Sequence, residues 1–550
     1  MFLGATPAFS APQTPASPVA EAPAVEAPVA EAPVAEASVA GAPVSKGAAA
    51  EESSTPPSQR SSADLTGEVK RRMSLEDALG LGLSNNLGLE RAEVEAEVAR
   101  FEALSTWGAF DWVFDMNGQF ADSDSVGSSQ LFGGDVVSSQ DSSVNVDLSR
   151  PLGTGGSFGF HFDSGLNVTD NTFANAPEQY RSNLAVSYVQ PLMRGAGEEY
   201  ATSNQREAEI TERRRLEERR QARQSLIHDV EVAYWELVAA GQQLEVAEAA
   251  LKLGQEQIQR EEARLRAGDG TEVDVLQAQT EVATRTETLL QAQNNLAQRG
   301  DDLKRLIVRD ETSALWNERL EATTALPEAA PGDLSLPDWQ DAFQVALGKR
   351  PDLRTSRLDV DASRIRLVRA QSERLYGLDL RLDASSGSFN EDFTDALSQA
   401  VEFDFPRYAA RLDYNMPLQN RTASNSERAA RERVRGSQIS LEEAEVNALA
   451  EIRRTLRDVR YRAQAVRASE QSFELARRQL EAEQQRFEAD LTTTFEVLQF
   501  QQTLIEAASN RSAARAEYAK SLVAFDRASG TLGEETDILR QELEANASQD

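Results

Sequence analysis

The residues of this 550-residue chain whose types and spacing best suit chemistry are two threonine–acid pairs, Thr271-x-x-Asp274 and Thr493-x-x-Glu496. A hydroxyl and a carboxylate three residues apart form a capping box, each accepting a hydrogen bond from a free amide at a helix start. The anion also suits the positive end of the helix dipole. Little else invites catalysis. His161 and His228 are the only histidines and are far apart in sequence, so no histidine triad or metal centre is expected. Cysteine is absent, which removes thiolate zinc sites and disulfides. Gly153-x-Gly155-Gly156 lacks the Lys-Ser/Thr ending of a phosphate loop and reads as a hairpin turn. No nucleophile is clustered with a base, so no enzyme, cofactor or metal is expected.

Both pairs lie in repeated surroundings. Before the first, Val230, Leu237, Leu244, Leu251, Ile258 and Leu265 fall at seven-residue intervals, with Ala233, Ala240 and Ala247 as companions. After it, Val275, Val282, Leu289, Leu296 and Leu303 keep the interval. Such a repeat makes helices with a narrow apolar seam, and Gly268 and Gly270 between them supply the reversal. RLRAGDGTEVDVLQAQ is therefore the tip of a long antiparallel helical hairpin. RFEADLTTTFEVLQFQ repeats it at an offset of 222 residues, and Ile452, Val459, Val466, Phe473, Leu480 and Phe487 repeat the heptad. The chain is an internal duplication.

Composition narrows the class. Charged residues make up 27% and aromatics 6%, which favours long solvated helices over a thick interior. A net charge of −33 argues against a nucleic-acid partner. No run of 18 apolar residues offers a membrane-spanning helix, so any crossing falls to β-strands. The Pro/Ala/Val/Glu-rich residues 1–65 read as a disordered arm. No secretory signal is legible there, although PAFSAP resembles the end of a cleavage site.

The expected organisation is a first repeat at 66–325, a linker at 326–337, a second repeat at 338–532 and a tail at 533–550. SLEDALGLGLSNN and DWQDAFQVALGKRPDL open the two repeats at an offset of 264. Each opening predicts a short helix and then a second one, about 89–108 and 353–375. Strands follow. Leu378, Leu380, Leu382 and Ala384 alternate with ionic residues, as do Leu412, Tyr414 and Met416. Trp112, Phe114, Met116 and Phe120, then Leu184, Val186 and Tyr188, supply the first repeat's pair. Alternation of this kind marks strands with one apolar and one wet face, as in a membrane barrel or an ordinary β-domain. Two strands per repeat are expected. A Ser/Gly/Asp/Asn-rich insertion at 122–181 would be an external loop, with a possible extra hairpin in Val144-Val146-Leu148 and Phe158-Phe160-Phe162. The helix from about 202 to 266 would run about 97 Å, close to the summed length of two shorter partners stacked end to end.

In this order of helix, strand, strand, long helix and return helix, taken twice, the chain resembles the TolC-like outer-membrane efflux protein family. The carrying residues are SLEDALGLGLSNN, Gln190-Pro191-Leu192, Met416-Pro417-Leu418 and the two tips. The resemblance covers about residues 70–530. It implies an α-helical barrel plus a transmembrane β-barrel, with four strands per protomer closing a 12-stranded barrel in a homotrimer. It further implies an outer-membrane location, a helical tunnel in the periplasm, and a periplasmic adaptor and inner-membrane pump as partners. Export of small molecules or proteins by efflux or type I secretion would be the function. A soluble coiled-coil scaffold would explain the heptads but not the strand pairs, and an adaptor would carry a single hairpin.

By the same resemblance Glu496 falls where the family carries an acidic constriction at the tunnel entrance. Gln499 falls one turn later, where a second carboxylate is common, and Asp274 at the matching point of the other hairpin. A ring of such carboxylates would favour cations. Gln499 is neutral and Thr492 stands where the family can carry a latching arginine, so that latch is not expected. Arg264 and Arg486, with Gly268, Thr271 and Thr493, are the expected adaptor contacts; the simpler reading pairs each arginine with a nearby glutamate.

Overall fold

The computed structural model describes residues 70–126, 136–170, 174, 176–327, 336–489 and 491–533. The arm, the linker's centre and nearly all of the tail lie outside the described residues. The first repeat begins with β1 (Lys70–Met73), α1 (Leu75–Asn85) and α2 (Leu87–Thr106), followed by β2 (Val113–Val126), β3 (Val136–Pro151), β4 (Ser157–Thr169) and β5 (Glu178–Pro191). A single helical turn, α3 (Glu198–Ala201), leads into α4 (Ser203–Ala267), α5 (Glu272–Ile307) and β6 (Arg319–Ala322). The second repeat contains α6 (Trp339–Lys349), α7 (Pro351–Arg374), β7 (Gly377–Asn390), α8 (Phe393–Val401), β8 (Pro406–Asn415), α9 (Arg421–Glu488) and α10 (Thr494–Ser529). The returning helices α5 and α10 are each 36 residues long and start 222 residues apart, as the duplication requires.

Capping sets the boundaries. Ser74 opens α1 with a capping box to Asp77, and the Asn86 side chain accepts from the amides of Gly88 and Leu89 to open α2. The pair Asn85-Asn86, where α1 ends and α2 begins, has a second use. Its amide groups donate to the carbonyls of Ile307 and Leu306, both at 3.1 Å, so α2 begins where α5 ends. In the second repeat Arg350, ahead of α7, donates to the Ala528 carbonyl at the end of α10 at 2.9 Å. The short helices thus meet end to end beside their long partners, as the lengths predict. Tyr234, fully buried on α4, donates to the Met73 carbonyl and accepts from the Thr324 amide, pinning the parallel β1–β6 pair to the long helix.

The side-by-side order of the helical layer is α2 with α5, then α4, then α7 with α10, then α9. The seam follows the heptads but drifts. Val230, Leu237 and Leu244 are buried, whereas Leu251 and Ile258 are only half-buried and Leu265 is exposed. The companion series stays inside to the tip and changes character on the way: Ala233, Ala240, Ala247, then Gly254 and Glu261.

The strands form one antiparallel sheet in the order β2-β3-β4-β5-β7-β8. This corrects the expectation of four strands per protomer. The segment read as an external loop holds β3 and β4, which lie between the two strands expected to be neighbours. The reason is register: Leu148 faces both Phe114 and Phe160, so the insertion continues the alternation of its flanks. The turn between β3 and β4 is the glycine run, with Leu152 N–H on the Gly156 carbonyl and Gly155 at φ 86°. A β-carbon on Gly155 would lie 2.1 Å from the Gly195 carbonyl oxygen, so the turn nests against the loop before α3. The short helix α8 lies over β5 and β7, its Ala396 and Ala400 buried and its Phe393 edge-on to Tyr180.

Candidate functional site

The tips are built as their sequences suggest, with one difference. At the first, α4 closes on Gly268 in the left-handed region at φ 88°, and Asp269 N–H bonds the Arg264 carbonyl. Thr271 then opens α5 with a complete capping box: its hydroxyl accepts from Asp274 N–H, while the Asp274 carboxylate accepts from the Thr271 amide at 3.1 Å and hydroxyl at 2.6 Å. At the second tip Thr493 accepts from Glu496 N–H at 3.4 Å, but the Glu496 carboxylate turns to the Thr492 hydroxyl. The position matching Thr492 in the first tip is Gly270, which has no side-chain donor. The Thr492 hydroxyl, followed by the Thr493 amide, holds the Glu496 carboxyl below the ordinary glutamate value. Glu496 and Gln499 are exposed and Asp274 is half-buried.

The two tips touch. The Arg264 guanidinium stacks on the Phe487 ring at 4.6 Å, a cation–π contact between hairpins. Arg486 follows the simpler reading and pairs with Glu483 at 3.1 Å. Behind them runs a polar seam that the sequence reading missed. Glu261, at 1% exposure, accepts from Thr494 at 3.0 Å and from Gln257 at 2.5 Å. About three helical turns along α5 from Asp274, Arg285 joins three elements: it bonds Glu281 at 2.8 Å, the Ala250 carbonyl at 2.8 Å and Gln501 at 3.1 Å. Gln257 Oε1 and Gln501 Nε2 are buried without a hydrogen-bond partner, a costly state in a helical interior. The signal was present in the heptad, since Glu261 continues an otherwise alanine and glycine core series.

The histidines stay apart in use as well as in sequence. His161 meets Asp147 across β4 and β3, and His228 meets its neighbour Asp229. Among the described residues no group of acidic and histidine side chains could hold a metal ion. No described helix is long and apolar enough to cross a membrane.

The sheet has two faces of different character. One face carries the row Phe114, Leu148, Phe160, Val186, Ala384 and Tyr408; the other carries Asp115, Asp147, His161, Ala185, Ser385 and Arg407. The wet face is cross-linked by polar pairs, including Asn145 to Asn117 at 2.9 Å and Arg181 to Asp163 at 3.1 Å.

Comparison with known proteins agrees with this geometry. The sequence profile of the family described as outer membrane efflux protein matches residues 133–307 and 342–531, more than half of the chain. The alkaline protease secretion protein AprF of Pseudomonas aeruginosa is 24% identical over 304 residues, covering 54% of this chain and 60% of that relative. The chain thus spans less than two thirds of that relative's length. In fold, the chain is similar to the Campylobacter jejuni CmeC outer membrane channel, with a TM-score of 0.62 and 16% identity over 85% of this chain and 89% of that one. The open state of the Neisseria gonorrhoeae MtrE outer membrane channel gives 0.56 and 16% over 83% and 89%. With both repeats matched and the channel fold present, the chain belongs to the outer membrane efflux protein family.

Proposed function

We propose that three copies of this chain form an outer-membrane channel whose helical layer makes a periplasmic tunnel, taking cargo from an adaptor and an inner-membrane pump. The observation that carries this reading is that both layers are unfinished on the same two sides. One side of the chain ends in α2 and β2, which follow each other in sequence; the other ends in β8 and α9. On α2, Val94, Val98 and Phe101 form an exposed stripe, and on α9 Ile439 and Val446 form another. Two different edges that complement each other make a heterologous contact, which closes into a ring when the rotation permits. Sheet edges left open in lipid would expose unpaired backbone groups.

The strand rows support a membrane location. Trp112, Tyr188 and Tyr414 lie toward the helices and Phe120, Tyr180 and Tyr408 toward the far end, the arrangement of aromatic girdles. From Trp112 to Phe120 is about 27 Å along the strand, or about 21 Å along the axis of a barrel whose strands tilt by about 40°, comparable to the apolar band of about 25 Å in an outer-membrane barrel. At the opposite end of the molecule, Asp274 and Glu496 would gather around the tunnel entrance, with Gln499 a neutral turn behind, and favour cations. Arg264, Gly268, Thr271, Arg486 and Thr493 would present the tips to the adaptor. Small molecules or proteins would be the cargo, the latter in keeping with a relative named for alkaline protease secretion.

The test is the mass of the complex extracted from membranes, compared with Phe101→Glu, which charges the α2 edge. Trimers that fall to folded monomers in the variant support the reading. A protein found only in soluble fractions, or a trimer indifferent to the charge, contradicts it.

A further inference from the structure

The six-stranded sheet has a consequence for the exit duct. Resting on the trimeric reading above, we infer that all six strands of each copy enter the barrel wall, so that β2 of one copy pairs with β8 of the next and three copies close an eighteen-stranded barrel. The extra hairpin is part of the wall and not a loop outside it.

Three observations carry this. The first is register. The hairpin is paired along 14 positions to β2 and 12 to β5, with no break, so its removal from the wall would sacrifice two complete ladders. The second is the continuity of both faces. Phe114, Leu148, Phe160, Val186, Ala384 and Tyr408 sit side by side on all six strands. Outside the wall, the hairpin would hold its phenylalanines in water. The third is the wet face, whose hydrogen bonds pass through the hairpin: Asn117 to Asn145, Asp147 to His161 and Asp163 to Arg181. An even number of antiparallel strands per copy also lets β8 meet the next copy's β2 in the same antiparallel sense.

The dimensions agree. A strand spaced about 4.8 Å from its neighbour and tilted by about 40° occupies about 6.3 Å of circumference. Six strands then span about 38 Å, close to four helical columns at about 9–10 Å each. Eighteen strands enclose a ring about 1.5 times as wide as twelve, with roughly twice the cross-section. The hairpin adds Asp147, His161 and Asp163 to the wet face, so the enlarged duct is aqueous and acidic in that sector.

Native cysteines are absent, so engineered pairs report cleanly. In trimers verified by mass, the wall order predicts oxidative closure within one chain for Met116→Cys with Val146→Cys and for Phe162→Cys with Leu184→Cys. It also predicts covalent trimers from single β2 and β8 cysteines combined in one chain, with positions 114–118 scanned against 408–412. Imaging of the same trimers should count eighteen strands. Closure of Met116→Cys with Leu184→Cys in place of the two intrachain pairs, or a count of twelve, overturns the inference and leaves the trimer standing. Particles of another copy number overturn both readings.

Discussion

Truncating Arg285 to alanine should loosen the two hairpins from each other near their tips. The side chain is 4% exposed and holds Glu281, the Ala250 carbonyl and the Gln501 amide oxygen. Glu281 is partly exposed and regains water, so its loss is moderate. Gln501 is fully buried, already has an unsatisfied Nε2, and would lose its remaining partner. One orphaned buried amide and the lost guanidinium bonds together give about 3 kcal/mol, at the low end of what breaking a buried charged contact costs. That corresponds to about a 150-fold rise in local opening. Hydrogen exchange reads it directly, with amides at 250–285 and 494–505 losing protection while those near Tyr234 keep theirs. Gln501→Leu should cost less, because it removes the unsatisfied group as well, and its effect should not add to that of Arg285→Ala. A change below about fivefold, or one spread evenly along α4, would refute the claim that this seam joins the hairpins.

Other expectations concern the tips, the joint and the turn. Glu496→Ala should weaken block of the channel by a trivalent cation applied from the tip side, and Asp274→Ala, which removes the acid of the Thr271 capping box, should also cost about 0.5 kcal/mol of helix start; unchanged block in both would leave the carboxylates as caps alone. Because the Thr492 hydroxyl lowers the Glu496 pKa, block should persist as pH falls past the usual 4.5 and fade only below it; fading already near pH 6 would contradict the contact. At the joint, burial acts to raise the Asp352 pKa but the Arg350 guanidinium outweighs it and holds the carboxyl below 3.8. A depressed value means stability present above that pH and lost as pH falls through the lower folded value. The gap in thermal midpoint between the native protein and Asp352→Asn should therefore narrow below about pH 4, and a constant gap would contradict it. Gly155→Ala meets both a left-handed backbone and the Gly195 carbonyl, and should cost at least about 2 kcal/mol, read as loss of heat-resistant trimers; normal yield would argue against the nested turn.

Much of the helical layer was legible because heptads and caps are local signals. Offsets of 222 and 264 located both copies of the major helices, and Thr271 marked a helix start that the structure keeps. The sheet was legible in face but not in number. Leu148 and Phe160 alternate as clearly as Phe114, yet the Ser/Asp/Asn setting of that segment resembles surface loop, and only pairing partners show that it belongs to the sheet. At the tips the sequence placed Asp274 correctly in its box. It could not show that Thr492 draws Glu496 away, since that depends on a hydroxyl where the other tip has Gly270. The heptad marked Glu261 as a core position, but the partners of Glu261, Arg264 and Arg285 in the other hairpin were not legible, because they lie more than 200 positions away.

Single-channel conductance of the purified protein in a planar bilayer tests the central claim most directly. The account predicts stable, uniform, cation-preferring pores from the trimer, and none from Phe101→Glu that remains folded. Folded, membrane-extracted trimers that carry no current under any gating condition, including removal of Glu496 and Asp274, would contradict it.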